Sequence, residues 1–137
     1  MGLKAPLLGG DGWDSSKLIE IGGPALDGSY FSNHYASDDT SPKIQKFVTD
    51  FKTRFGEVPD SMAVLGYDAL LVLADSMKRA KSLAGDDLRD ALAHTKNFPG
   101  GTGTISMNEK RDAIKPAVVL FIDKGKYNFK ESVIPNS

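Results

Sequence analysis

A three-layer α/β fold with a mainly parallel sheet is the class this sequence predicts, and three observations predict it. Apolar runs of strand length alternate with helical repeats, as in chains that build a parallel sheet from βα units. One run, Pro116 to Ile122, is continuously apolar, the mark of a strand covered on both faces. Glycines cluster at the ends of such runs, where strands turn into loops. The 137 residues are enough for one globular domain with one core.

The elements follow in order. Ala5 to Leu8 reads as a buried strand stopped by Gly9-Gly10-Asp11-Gly12-Trp13. Asp14-Ser15-Ser16 supplies an N-cap for a short helix through Leu18, Ile19 and Ile21, closed by Gly22-Gly23-Pro24. A turn at Asp27-Gly28 lies within the aromatic-rich segment Leu26 to Ala36, read as a second strand, and Ser37 to Thr40 is a loop. Ser41-Pro42 starts a helix whose Ile44, Phe47, Val48, Phe51 and Phe55 recur at helical spacing until Gly56. From Ser61 to Ala80 the apolar positions cover more than half of a helix, which predicts burial on more than one side. A third helix runs from Asp86 to about His94. The loop Phe98 to Gly103 leads to a strand at Thr104 to Met107, and Asn108 to Asp112 is a charged turn. After the strand at Pro116 to Ile122, Asp123-Lys124-Gly125-Lys126 forms a hairpin into an alternating edge strand with Tyr127, Phe129 and Val133.

Composition removes several functions. Lys and Arg number 17 against 18 Asp and Glu, a net charge of −1, which excludes the broad basic footprint of a nucleic-acid binder. No cysteine is present, so disulfides, thiolate metal sites and cysteine nucleophiles are excluded. No run approaches the roughly 20 apolar residues of a membrane span. Met1-Gly2-Leu3-Lys4 lacks the charged and apolar regions of a signal peptide, so an exported protein would have had its leader removed.

Chemistry-bearing motifs are few. Gly9 to Gly12 lacks the Lys-Ser/Thr pair of a phosphate loop, and Gly101-Thr102-Gly103 enters a strand with Ser106 where a third glycine belongs. His34 and His94 sit on different elements without partners at metal-ligand spacing, which leaves each an ordinary polar residue. Ser15 and Ser16 lie in no nucleophile elbow, so no enzyme, cofactor or metal site is expected. A small stand-alone enzyme would need an acidic pair at strand ends, for which Asp11 and Asp14 are the one candidate. Asp11 itself lies just past a strand, between glycines and two residues before the sole tryptophan, Trp13. Open α/β folds bind ligands outside the carboxyl ends of strands, and a carboxylate beside an aromatic ring suits an ammonium group. The alternative is that Asp11 closes an Asx-turn and Trp13 fills the core.

Four segments then resemble a known family in order: Gly2-Leu3-Lys4-Ala5-Pro6-Leu7-Leu8-Gly9-Gly10-Asp11-Gly12-Trp13-Asp14, Ala63-Val64-Leu65-Gly66-Tyr67-Asp68-Ala69, Gly101-Thr102-Gly103-Thr104-Ile105-Ser106 and Lys115-Pro116-Ala117-Val118-Val119-Leu120. Together they resemble the C-terminal part of bacterial branched-chain amino acid binding proteins, the type I periplasmic receptors of ABC importers. The resemblance implies a periplasmic-binding-protein-like type I fold, incomplete relative to the two-lobed family fold. It assigns residues 1–60 to the second lobe, 61–115 to the first, and 116–137 to a strand and hairpin crossing back. It also implies that Asp11 pairs with a ligand ammonium, that Trp13 walls the pocket, and that Met62 and Ala63 face the ligand near a hinge, whereas Tyr67 and Asp68 pack or start the helix.

The resemblance further implies an extracytoplasmic or periplasmic parent that binds an amino acid or related ligand and delivers it to ABC permease subunits. A ligand-sensing receptor or regulator domain of the same fold is the alternative. Lacking the first lobe's carboxylate-binding loops, the chain alone is expected to bind weakly. Its over-apolar helix and open strand edges predict a homodimer or higher oligomer, formed by isologous pairing or by swapping the segment beyond Val58-Pro59.

Overall fold

The computed structural model describes residues 4–135. Met1, Gly2 and Leu3, and with them the start of the first family-like segment and of the Met1-Gly2-Leu3-Lys4 stretch, lie outside the described residues, as do the last two residues of the 116–137 segment. Four helices and seven strands are present among the described residues: β1 Leu8–Gly9, α1 Ser16–Gly22, β2 Tyr30–Asn33, α2 Pro42–Phe55, α3 Ser61–Arg79, α4 Gly85–Ala93, β3 Phe98–Gly100, β4 Gly103–Met107, β5 Ala113–Ile114, β6 Ala117–Asp123 and β7 Lys126–Val133.

Helix ends follow local chemistry. Ser15 caps α1 by accepting from the Lys17 amide at 3.2 Å, and Asp60 caps α3 by accepting from Ala63 at 2.8 Å. Proline opens α2, and Gly56, with φ of 81°, closes it in the left-handed region that residues with a Cβ avoid.

The strands form two sheets. One has the order β1-β2-β6-β7, and the other β3-β4-β5. Only β1 and β2 pair in parallel; every other pairing is antiparallel, so the sheet is mixed rather than mainly parallel. The cause is connectivity. A crossover through α1 makes β1 and β2 parallel, whereas the Lys124-Gly125 turn, with φ of 49° and 71°, reverses β6 directly into β7. The segment Phe98 to Gly103, read as a loop, is half of another hairpin, with Gly100 opposite Gly103.

Burial corrects three further expectations. The first strand begins only at Leu8, which is 81% exposed, because β1 is a sheet edge. The second strand is confined to Tyr30–Asn33, since Gly23–Leu26 forms a 3-10 turn that precedes it. Along β6, Val118, Leu120 and Ile122 are buried while Val119 and Phe121 are half-buried, so the continuous apolar run packs one face fully. That face joins Leu26, Phe31 and Ala36 in the core, against which Trp13, Leu18, Ile19 and Tyr127 pack.

Helix α3 departs most from its pattern. It buries one narrow stripe, Ser61, Val64, Asp68, Val72 and Ser76, and leaves Met62, Tyr67, Leu70 and Met77 exposed. The stripe is selected by hydrogen bonding rather than by apolar area. Asp68 accepts from the Gly101 amide, from the Thr102 amide at 2.8 Å and from the Thr102 hydroxyl at 2.6 Å. One helix end is tied down by Arg79, which donates to Asp75, Ser76, the Ala91 carbonyl and Thr95. Asp68 is thus a packing residue, as the family-like reading of the sequence gives it.

Candidate ligand-binding site

The parallel register of β1 and β2, Leu8 opposite Tyr30 and Gly9 opposite Phe31, places the carboxyl ends of both strands side by side. Loops leaving such ends meet. Asp11 opens a 3-10 turn, Asp11–Trp13, just after β1, and His34 follows β2 immediately. His34 Nε2 lies 3.1 Å from Asp11 Oδ2, with side chains 31% and 52% exposed respectively. The Asp11 carboxylate is therefore turned toward His34 and solvent rather than back onto its own turn. The backbone of His34 is fixed by donation from its amide to Oδ1 of buried Asn33 at 2.8 Å.

Trp13 follows two residues after Asp11. Its ring lies on the backbone of Gly9, where an added Cβ would sit 2.3 Å from ring atoms, and 6.2 Å from the ring of Phe31. Much of its surface is thereby committed to the core. Only glycine at position 9 permits this approach.

The next residue ties the loop to the second half of the chain. Asp14 Oδ2 accepts from the Ser61 amide at 2.7 Å, the first residue of α3. Met62 and Ala63 follow directly, Met62 exposed and Ala63 half-buried. Ala63 lines two clefts. One, of about 580 Å³, is bounded by Asp14, Tyr35, Asp60, Leu120 and Tyr127. The other, of about 600 Å³, lies between α2 and α3 among Phe47, Phe51, Tyr67 and Leu70. Asp11, Trp13 and Met62 line neither of these two clefts. In the first cleft the Tyr35 hydroxyl donates to the Pro59 carbonyl, and burial, reinforced by the Asp14 and Asp60 carboxylates, pushes its pKa well above the ordinary tyrosine range.

Residues 1–126 match the family model described as periplasmic binding protein. The chain belongs to this family. Among solved periplasmic binding proteins it is similar to a leucine binding protein from Thermotoga maritima, with 38% identity and a TM-score of 0.89 over 98% of this chain and 39% of that one. It is also similar to a branched-chain amino acid transporter substrate binding protein from Streptococcus pneumoniae in complex with isoleucine, at 28% identity and a TM-score of 0.84. A Leu/Ile/Val-binding protein homolog 1 of Brucella suis is 31% identical over 133 residues, 93% of this chain and 35% of that protein. The chain thus has a type I periplasmic-binding-protein fold and spans little more than a third of the length of these relatives.

The sequence singled out Asp11 but did not place His34 beside it. The signal was spacing relative to paired strands, which a sequence read without the sheet register does not contain. Asp14 was read as part of a helix cap and as the partner of Asp11 in an acidic pair; in the structure it joins the Asp11 loop to α3. Among the described residues no group of three or more His, Cys, Asp or Glu side chains comes together to hold a metal ion.

Proposed function

We propose that this chain is the C-terminal part of an extracytoplasmic receptor that holds an amino acid for an ABC importer, with Asp11 as the partner of the ligand ammonium. The observation that carries the reading is a half-exposed carboxylate at the joined carboxyl ends of a parallel strand pair, the place where α/β folds present ligand groups. The named ligands of its relatives, leucine and isoleucine, carry such an ammonium. Trp13, Met62 and Ala63 are the further residues assigned to the ligand surface, of which only Ala63 lines the two clefts described.

Residues 1–60 and 116–137 then belong to the second lobe and residues 61–115 to the first. The strands support this division: one sheet draws on both ends of the chain, the other lies wholly within Phe98–Ile114. The partners are permease subunits and a small amino acid, not nucleic acid, and the parent acts outside the cytoplasm. Alone, the chain holds only part of the cleft, binds ligand weakly and covers the apolar face of α3 with a second copy.

Replacing Asp11 with asparagine in the complete receptor tests the assignment. Calorimetry should show affinity for L-leucine, L-isoleucine or L-valine reduced by about 2 kcal/mol or more, because a charged hydrogen bond to the ammonium is lost. Unchanged affinity rejects Asp11 as the ammonium partner.

A further inference from the structure

We infer that His34 sets the charge of the ammonium subsite, so that gaining a proton on its imidazole weakens binding of the ligand; this rests on Asp11 being the ammonium partner. The contact has no obvious value to folding. Both side chains are open to solvent, and exposed ion pairs contribute about 0–1 kcal/mol at most. Its consequence is for what the carboxylate can still hold.

With one imidazole proton, on Nε2, His34 donates to Oδ2, orients the carboxylate and leaves its charge intact, while Oδ1 stays free for a ligand. With a second proton, on Nδ1, the imidazolium neutralises Asp11 and places a positive charge beside the incoming ammonium. The ligand and the proton then compete for one carboxylate, and linkage makes each lower the affinity of the other. The charged groups around His34 leave Asp11 as its counterpart. Asp14, on the same loop, is turned to the Ser61 amide, the phenol of Tyr35 to the Pro59 carbonyl, and the residue opposite Asn33 on β6 is the uncharged Val118. Among the described residues, Asp11 is the one carboxylate within ion-pair distance of His34.

The test is calorimetric titration of the complete receptor with L-leucine, L-isoleucine and L-valine at about pH 8 and about pH 5.5. These amino acids keep both charges across that interval. The wild type should bind about tenfold more weakly at the lower pH, within the range that one coupled site supplies. His34→Gln, which cannot gain a proton, should lose the pH dependence and bind with the same affinity at both pH values, with an unchanged thermal melt. A wild-type profile that is flat, or a His34→Gln profile as steep as the wild type, overturns the inference while the role of Asp11 stands. Asp11→Asn binding as tightly as the wild type, or a wild type that binds none of the three, overturns the ammonium-site reading and the inference with it.

Discussion

Removing the carboxylate of Asp68 should unseat the β3–β4 hairpin from α3. Asp68 is 3% exposed, and its oxygens receive two backbone amides and one hydroxyl from the Gly101-Thr102 turn. Glycine permits the approach: a Cβ on Gly100 would sit 2.9 Å from Asp68 Oδ2 and 2.6 Å from Ile105 Cδ1. In Asp68→Ala both amides lose a charged acceptor inside the protein, each at a cost of about 1–3 kcal/mol. Relief from holding a buried charge offsets part of this, which puts the net loss at about 3 kcal/mol. Against a total stability of about 5–15 kcal/mol this is a large fraction, equivalent to about 10 °C in melting temperature for a chain of this size. Asp68→Asn keeps one acceptor but points an N–H at a donor, and should lose about 2 kcal/mol. Urea unfolding of the 137-residue chain, followed by circular dichroism, measures the loss, and hydrogen exchange locates it at the amides of Gly101 and Thr102. A loss below about 1 kcal/mol for Asp68→Ala, or protection retained at those amides, would refute the anchoring role.

Gly9→Ala should displace the ring of Trp13, since the new Cβ would sit 2.3 Å from it, and cost about 1–3 kcal/mol; the fluorescence of the sole tryptophan reports the movement, and unchanged emission and stability would contradict the packing. Tyr35 is more acidic unfolded than folded, so its contribution is fully present below about pH 10 and is lost above it, at up to about 1.4 kcal/mol per pH unit. Tyr35→Phe should lose about 1 kcal/mol at neutral pH, where its hydrogen bond to Pro59 is missing, and show a shallower alkaline decline in urea melts; equal slopes would reject the assignment. Light scattering of the isolated chain should give at least twice the monomer mass, and Leu70→Lys, at a position 67% exposed on α3, should lower it; a wild-type monomer sinks the self-association proposal.

What the sequence revealed depended on how far apart the deciding residues lie. Ser15, Pro42, Gly56 and Lys124-Gly125 act on neighbours in the chain, and the α1, α2 and β6–β7 boundaries were legible within a residue or two. Strand direction was not, because β2 meets β6 far along the chain (Asn33 opposite Val118) and only register reveals that the pair is antiparallel. Asp11 was visible through its glycines and its nearby tryptophan. His34 reaches it from 23 positions away, and Asp68 reaches Thr102 from 34, so neither pairing leaves a local pattern. A weak signal for Asp68 did exist: it falls on the spacing of Val64 and Val72, four residues from each, so a stripe containing it had to be buried or broken.

The two sheets are held by different physics, and that difference bears on the site. The β1-β2-β6-β7 sheet has an apolar core of its own, with Phe31, Leu120 and Ile122 fully enclosed. Across α3, α4 and the smaller sheet, the buried apolar side chains are Val64, Val72 and Ile105, and the firmest attachments are the hydrogen bonds of Asp68 and Arg79. Hydrogen bonds to buried polar groups specify one docking geometry but supply little net stability, while burial of apolar area supplies it without direction. Helix α3 therefore has its orientation fixed by polar contacts on one side and its unused apolar area on the other. Such a helix gains stability only when something covers Met62, Tyr67, Leu70 and Met77. Asp11 and His34 stand on the sheet that has its own core, so their geometry does not wait for that cover. Met62 and Ala63 stand on the helix that does, so the position of the proposed α3 side of the site depends on that cover.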